Sequence, residues 1–466
     1  MRYNNHHIVI IYRILCQRKD MVIIMKSKKL LRVLCLALCL ILTAVCFTGC
    51  NSKKTSSSGN KGNNANSVDA SQFEGVDLIM FCAADEEETI KEVAKAAGDR
   101  WEKDTGGKIT YVMNPDWNQR YTNLTVKLAT GQQLDGYCST TQDCPTLPLK
   151  GLFLPVDEYL EETDYVSKHL SEQAYGFEGK TYGFAQKCRS VPFVILYNKT
   201  LFENNGVKTP TEYYEEGNWT WDTFREVAKE MTMDLNNDGQ TDQYGFGTWY
   251  AHPFLCSAGL ADYIDADGKV TLNNPLFTET MQFLQTLGFE DKSYVTNGGS
   301  FTEGSLAMTA ERTYYVQQYK INGLEDEVDF VPFPLSSKNT GDTRYMYWVD
   351  GLSILSNTVN ADATAFFLKN YWAVAYDEWF ENYQFTNEYW DGGYTNEQKE
   401  IIKEMTKYSV CMPSQGYPNF TTTVSDGLLK DIVTKGLSVS SSIATYSSKL
   451  QAIVDDAIVA ANAEKK

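Results

Sequence analysis

The first apolar run that reads as a buried strand is VDLIMF, Val76 to Phe81. Acidic residues from Asp85 to Glu88 then open a helix that runs through Trp101, since negative charge suits a helix N-terminus. KITYVMN, Lys108 to Asn114, is the next strand. A helix follows from Asn118 to Ala129, with Tyr121, Leu124, Thr125 and Leu128 at helical spacing and Gly131 as its stop. Strand, helix, strand, helix is the order of a parallel sheet. Two further apolar runs join differently patterned regions: SVPFVILYNKTLF (Ser190 to Phe202) and VDFVPFPL (Val328 to Leu335). Each reads either as an ordinary core strand or as a hinge where the chain crosses between lobes.

Upstream lies a different signal. Lys26, Lys28, Lys29 and Arg32 precede VLCLALCLILTAVCF, Val33 to Phe47. An apolar stretch of roughly 7–15 residues behind basic charge marks an export signal, whereas a permanent span takes about 20. The following Phe47-Thr48-Gly49-Cys50 resembles the lipobox of bacterial lipoproteins, with Phe47 in place of the usual Leu. That resemblance implies a diacylglyceryl group on the Cys50 sulfur, and attachment by more than one acyl chain makes membrane residence durable. Residues 1–49 are thus expected to be a signal peptide, with 1–24 a mis-assigned start ahead of Met25. Residues 50–72 are expected to be the lipidated cysteine and a flexible tether of Ser, Asn, Gly and Lys.

Composition narrows the function. The chain has 466 residues and a net charge of −18, with 43% hydrophobic side chains, so it holds two or three folding units with ample core. The acidic balance repels phosphate backbones, which argues against nucleic acid as a partner. Beyond Cys50 the exported part keeps Cys82, Cys138, Cys144, Cys188, Cys256 and Cys411, with no C-x-x-C pair and no zinc spacing. Cys138 and Cys144 are the close pair in sequence, readable as a bridge or as buried small hydrophobes. No G-x-S-x-G, H-E-x-x-H or G-x-x-x-x-G-K-[ST] motif occurs.

One segment has the oxygen spacing of a calcium loop: Asp234, Asn236, Asp238, Gln240 and Asp242, with Gly239 at the turn. Position 12 is Gly245, where a complete EF-hand supplies a bidentate Glu. The segment therefore reads as a structural calcium site or as an Asx-rich surface turn. No cofactor is required by any other motif. Many aromatic residues stand beside polar ones, as Trp117 does beside Asp116, Tyr314 and Tyr315 after Glu311 and Arg312, and Trp348 close to Asp350. Flat rings stack on the apolar face of a pyranose while Asp, Glu, Asn and Arg pair with its hydroxyl edge, so the mixture suits a sugar.

Several stretches share the order of a known family. They are WNQRYTNLTVKLATGQQLDGY (Trp117 to Tyr137), VPFVILYNKTLFENNGVKTP (Val191 to Pro210), WTWDTFREVAKEMT (Trp219 to Thr232), GSLAMT (Gly304 to Thr309), VDFVPFPL and GLSILSNTVNADATAFFLKNYW (Gly351 to Trp372). Behind a lipobox, this order resembles the extracellular solute-binding proteins of ABC importers, the group that includes maltose- and oligosaccharide-binding proteins. The resemblance implies a two-lobed periplasmic-binding-protein-like α/β fold, each lobe a mixed sheet flanked by helices, joined by hinge segments. Residues 73–192 with 333–380 are expected to build lobe 1, and 193–332 with 381–466 lobe 2. Ligands of open parallel sheets bind beyond the strand ends. That rule and the resemblance together place Asp85, Glu86, Asp116, Trp117, Gln142, Asp143, Trp249, Tyr250, Glu311, Arg312, Tyr314, Trp348 and Asp350 around the ligand. The implied role is capture of a carbohydrate, an oligosaccharide first, by a monomer lipid-anchored on the outer face of the cell membrane, and delivery to ABC permease subunits without catalysis. The alternatives are a surface glycan-degrading enzyme and a non-transport glycan-binding adhesin.

Overall fold

The computed structural model describes residues 69–464, apart from 83–86, 115, 117–118, 266, 297, 337–343 and 387–393. The export signal, Cys50 and the tether up to residue 68 lie outside the described residues, as do Asp85, Glu86 and Trp117. The tether ends earlier than expected: Ala70–Phe73 is already a 3₁₀ turn, its Asp69 cap accepting from the Ser71 N–H at 3.0 Å. The Phe73 ring accounts for this, lying 5.1 Å from Phe366 and 6.1 Å from Trp101.

The first apolar runs form β1 (Leu78–Cys82), β2 (Ile109–Met113) and β3 (Gly136–Thr140), connected by the helices Glu87–Thr105 and Arg120–Ala129. β1 is parallel to both neighbours, which sets the order β2-β1-β3. Val93, Ala97 and Trp101 share one face of the first helix at spacings of four and are fully buried in one core with Leu78 and Met80. The Trp101 indole N–H donates to the Val76 carbonyl at 2.9 Å, so burial of the ring leaves no polar group unpaired.

The short strand β4 (Val166–Ser167) and the hairpin β5 (Gly176–Phe177) and β6 (Lys180–Thr181) lead into β7 (Phe184–Asn198). Then come β8 (Tyr244–Gly247), β9 (Tyr294–Val295), β10 (Leu306–Arg312), β11 (Val328–Val331), β12 (Tyr345–Ile354) and β13 (Ser409–Val410). β7 is the strand shared by both halves of the fold. Between Phe184 and Pro192 it pairs with β12, and from Phe193 to Asn198 with β10 and β11. β10 continues through β8 to β9 in parallel, while β12 crosses back to β3. The run Ser190 to Phe202 is therefore a strand up to Asn198, whose side chain then caps the helix Lys199–Asn205 by accepting from Leu201 N–H. In VDFVPFPL the ladder with β7 is Val328–Val331 and stops at Pro332, which has no N–H for it, while Leu335 forms an isolated bridge to Thr220.

Two large apolar cores follow from this division. One gathers Leu78, Met80, Trp101, Phe184, Leu352, Ile354, Phe367 and Trp372. The other gathers Ile195, Phe202, Phe224, Phe246, Phe254, Met281, Leu428 and Leu450. Among the described residues no helix is long and apolar enough to cross a membrane.

The loop from Asp234 to Asp242 lies between the helix Trp221–Glu230 and β8. Its side-chain oxygens converge on the loop's own amides. Asp234 accepts from Asp238 N–H and Gly239 N–H, Asp242 from Leu235 N–H and Asn236 N–H, and Asp238 from Gln240 N–H, at 2.8–3.2 Å. Among the described residues no three His, Cys, Asp or Glu side chains are grouped to hold a metal. Gly245 has a packing reason to lack a side chain: a Cβ there would stand 1.8 Å from the Ala228 carbonyl oxygen. The strand lies so close to the helix that no side chain fits at position 12. Gly245→Ala is therefore expected to cost about 3 kcal/mol or more of stability, read as a fall in the urea midpoint without a change in slope.

His252 is buried in the second core, its ring 4.3 Å from Tyr250 and 5.1 Å from Tyr263, and among the described residues neither ring nitrogen has a hydrogen-bond partner. Burial lowers its pKa to about 3. Between that value and the unfolded value near 6.5 the unfolded chain binds a proton that the native state refuses, so stability falls as pH falls. Asp262 works in the opposite sense. Burial pushes its carboxyl up to about 7, against N–H bonds from Ser414 and Tyr263, so the native state gains relative stability as pH falls toward 4. His252→Phe is expected to remove the first effect alone, gaining about 2 kcal/mol on wild type between pH 7.5 and pH 5. Urea denaturation of both proteins at the two pH values checks it.

Candidate ligand-binding cleft

Where β7 changes partners, four strands bring charged and aromatic side chains together. Asp350 on β12 lies beside Thr140 of β3, Trp348 beside Val191 of β7, and Arg312 at the end of β10 beside Phe193 of β7. The β12 register shifts between Val349 and Gly351, an irregularity typical of sheet positions that aim a side chain. The Asp350 carboxylate accepts from the Trp348 indole N–H at 2.7 Å and pairs with the Arg189 guanidinium at 2.6 Å. Arg189 in turn lies over the Tyr376 ring at 4.8 Å.

Arg312 is enclosed by rings. Its guanidinium carbon is 4.9 Å from the Tyr315 centroid, 5.1 Å from Tyr314, 5.3 Å from Trp348 and 6.0 Å from Phe193. It donates to the Tyr315 hydroxyl at 2.9 Å and pairs with Glu311 at 3.6 Å. Phe193 stacks on Tyr250 at 5.0 Å, and Tyr250 touches Trp249 at 4.8 Å. Trp249 is 54% exposed, an unusual placement for an indole unless something covers it.

A third pair sits after β3. The turn Thr141–Asp143 has Asp143 accepting from Thr140 N–H at 2.7 Å, with Arg120 at 3.7 Å from its other oxygen. Arg120 also donates to the Gln142 side-chain carbonyl at 3.2 Å, and Tyr121 hydroxyl to the Gln142 backbone carbonyl at 3.0 Å. Burial pushes the Asp143, Asp350 and Glu311 carboxyls above their ordinary values, and Arg120, Arg189 and Arg312 respectively hold them down in part. The three acids and three guanidiniums balance in charge. They offer charge-assisted donors and acceptors, each worth about 1.5–3 kcal/mol to a neutral polar guest, beside apolar ring faces.

The loop after β3 meets a segment near the C-terminus. Thr146 hydroxyl donates to the Gly416 carbonyl, and a Cβ on Gly416 would stand 1.8 Å from the Cys144 carbonyl oxygen. Beside this seam is a cavity of about 140 Å³, with Arg120, Tyr121 and Gln142 on one side and Gln415, Asn419 and Thr421 on the other. The buried side-chain carbonyl of Gln415 and the Thr421 hydroxyl have no hydrogen-bond partner there. A larger space of about 740 Å³ opens between the β5–β6 hairpin and the Asp265–Gly268 turn, and none of the expected residues lines it.

Of the expected residues, the structure joins Trp348, Asp350, Glu311, Arg312, Tyr314, Trp249 and Tyr250 into one connected group, and puts Gln142 and Asp143 at the seam. Asp116 is exposed at the turn before the helix Arg120–Ala129, its carbonyl accepting from Gln119 N–H. Sequence reasoning noted Tyr315 beside Arg312 without placing it around the ligand, and missed Arg120, Arg189, Tyr376 and the stretch Gln415 to Thr421. For the last, the turn-rich MPSQGYPNFTTT was a readable signal, since Pro, Gly and Asn beside aromatics mark a loop able to carry a site.

Comparison with solved structures gives the architecture its name. An ABC substrate-binding protein from Listeria monocytogenes in complex with cycloalternan aligns at TM-score 0.61 and 16% identity, over 81% of this chain and 98% of that one. The GacH receptor of Streptomyces glaucescens, known unliganded and with acarbose, aligns at 0.60 and 16%, over 82% and 99%. UgpB from Mycobacterium tuberculosis with glycerophosphocholine aligns at 0.62 and 16%, over 82% and 100%. The fold is thus the two-lobed periplasmic-binding type. No curated protein sequence matches the chain. The family described as bacterial extracellular solute-binding protein matches residues 83–380. On that match, which spans more than half of its length, the chain belongs to the bacterial extracellular solute-binding protein family.

Proposed function

We propose that the protein captures a carbohydrate between its lobes and hands it to the membrane subunits of an ABC importer, with no covalent change to the ligand. The observation that carries this reading is the cluster in which Trp348, Asp350 and Arg189 meet the ring-enclosed Arg312 where β7 changes partners, beside a cavity at the Thr146–Gly416 seam lined by Arg120, Gln142, Gln415 and Asn419. A guest rich in hydroxyls pairs with the polar groups of both sides only when the two sides meet. At about 140 Å³ the cavity seats one end of an oligosaccharide rather than the whole, since sites for larger ligands run to about 300–1,000 Å³. The ring-enclosed Arg312 and the Arg189–Asp350 pair supply stacking faces and edge contacts. Two of the structurally similar proteins are known in complex with cycloalternan and with acarbose, which supports the carbohydrate reading.

In this reading the lobes are 73–192 with 333–380 and 193–332 with 381–466. They turn about β7 near Pro192 and Phe193, where the strand exchanges partners. The exported chain acts as a monomer held to the outer membrane face through a lipid on Cys50. It needs no cofactor, and calcium at the Asp234–Asp242 loop has a structural role only.

Arg312→Ala and Trp348→Ala are each expected to weaken oligosaccharide binding roughly 10- to 100-fold by calorimetry, the loss of about 1.4–2.8 kcal/mol. Gly416→Ala is expected to weaken it likewise and to abolish the ligand-dependent fall in radius of gyration expected of the wild type in solution scattering. A radius unchanged by saturating ligand in the wild type would refute capture by closure. A melting temperature raised by calcium and lowered again by chelator, with no rise in Asp238→Asn, is expected for the loop; superimposable melts would retire it as a metal site.

A further inference from the structure

Two cysteines distant in sequence meet where β1 and β3 run side by side. β1 and β3 are parallel neighbours, with Met80 beside Gly136 and Phe81 beside Tyr137. One residue further along that register Cys82 stands beside Cys138, and their equal parity puts both side chains on one face. The two sulfurs are 3.8 Å apart. Neighbouring strands lie about 4.8 Å apart, inside the ~4.4–6.8 Å separation of Cα atoms that a disulfide needs. Bonding takes side-chain rotation and a small approach of the two strands, since the Cβ atoms of a disulfide lie about 3.5–4.5 Å apart. The pair that is close in sequence behaves differently: Cys144 packs in a separate cluster with Leu170, Tyr175 and Val194.

We infer that Cys82 and Cys138 form a reversible cross-strand disulfide when the exported protein meets a low-molecular-weight disulfide. Cys82 is fully buried and Cys138 half-buried, so the reagent engages Cys138 first. The Cys138 thiol gives its proton to solvent and its thiolate attacks one sulfur of oxidised glutathione, forming a mixed disulfide and expelling one glutathione thiolate. The deprotonated Cys82 sulfur then attacks Cys138 Sγ and expels the second glutathione thiolate. Two protein thiols are oxidised, one glutathione disulfide is reduced to two thiols, and the released protons balance the charge. Outside the cytoplasm such bonds persist. The bond ties β1 to β3, the strand that leads into the turn Thr141–Asp143.

The test is to incubate the exported chain with oxidised glutathione or with a dithiol reductant, then map peptides without reduction. The expected result is a Cys82–Cys138 linked peptide, two fewer titratable thiols per chain, and a melting temperature higher by on the order of 5 °C than in the reduced protein. Cys138→Ser, at a half-buried position that tolerates a hydroxyl, is expected to melt like the reduced wild type and to lose the oxidation-dependent rise. Cys82→Ser is expected to do the same if it folds. An unchanged thiol count, a mixed disulfide that stays on Cys138, or a link from Cys138 to any other cysteine would overturn the inference.

Discussion

Asp350 is the constraint around which the rest of the site is arranged. A carboxylate this buried is tolerated only when paired and hydrogen-bonded. Its two oxygens take the Trp348 indole N–H and the Arg189 guanidinium, one from its own strand and one from the neighbouring β7. Each partner is thereby held in place for a second task. Trp348 turns its ring to Arg312, and Arg189 lies over Tyr376. Removing one member would leave a charge stranded in low dielectric, which is why the group acts as a unit.

That unit lies at the point where β7 changes partners. A single 15-residue strand carries the chain from one half of the sheet to the other, and the same stretch holds Arg189 on one side of the exchange and Phe193 on the other. A small twist of β7 there would shift the Arg312 cage against the Asp350 pair. The seam between Thr146 and Gly416 is made by two short helical turns, Thr146–Leu149 and Pro413–Gly416, rather than by a strand. Covalent continuity along β7 and a breakable hydrogen bond at the seam are what the proposed closure would use.

Much of the fold was legible because its signals are local. The apolar runs at Val76 and Lys108, the helix through Trp101 and the stop at Gly131 depend on periodicity and backbone preference, and each element lies within a few residues of its expected place. Arg312 was legible because it stands at a strand end, where a polar residue has no packing explanation; Trp348 and Asp350 were expected just before a strand beginning at Gly351 and lie instead inside β12, which starts earlier at Tyr345. Arg189 and Arg120 were not legible, because a strand or a helix start with one charged residue is unremarkable until a partner arrives from elsewhere in the chain.

The amino-acid sequence by itself determined the elements, their alternating order and the acidic, aromatic-rich chemistry, since these follow from neighbours along the chain. Only the tertiary structure decided which distant residues touch. It set Cys82 against Cys138 rather than Cys138 against Cys144. It brought Gln415 up to Gln142 and pressed Gly245 against Ala228, denying the loop its twelfth-position carboxylate. Strand register and the crossing of β7 fix those meetings, and register is a property of paired strands that no single strand encodes.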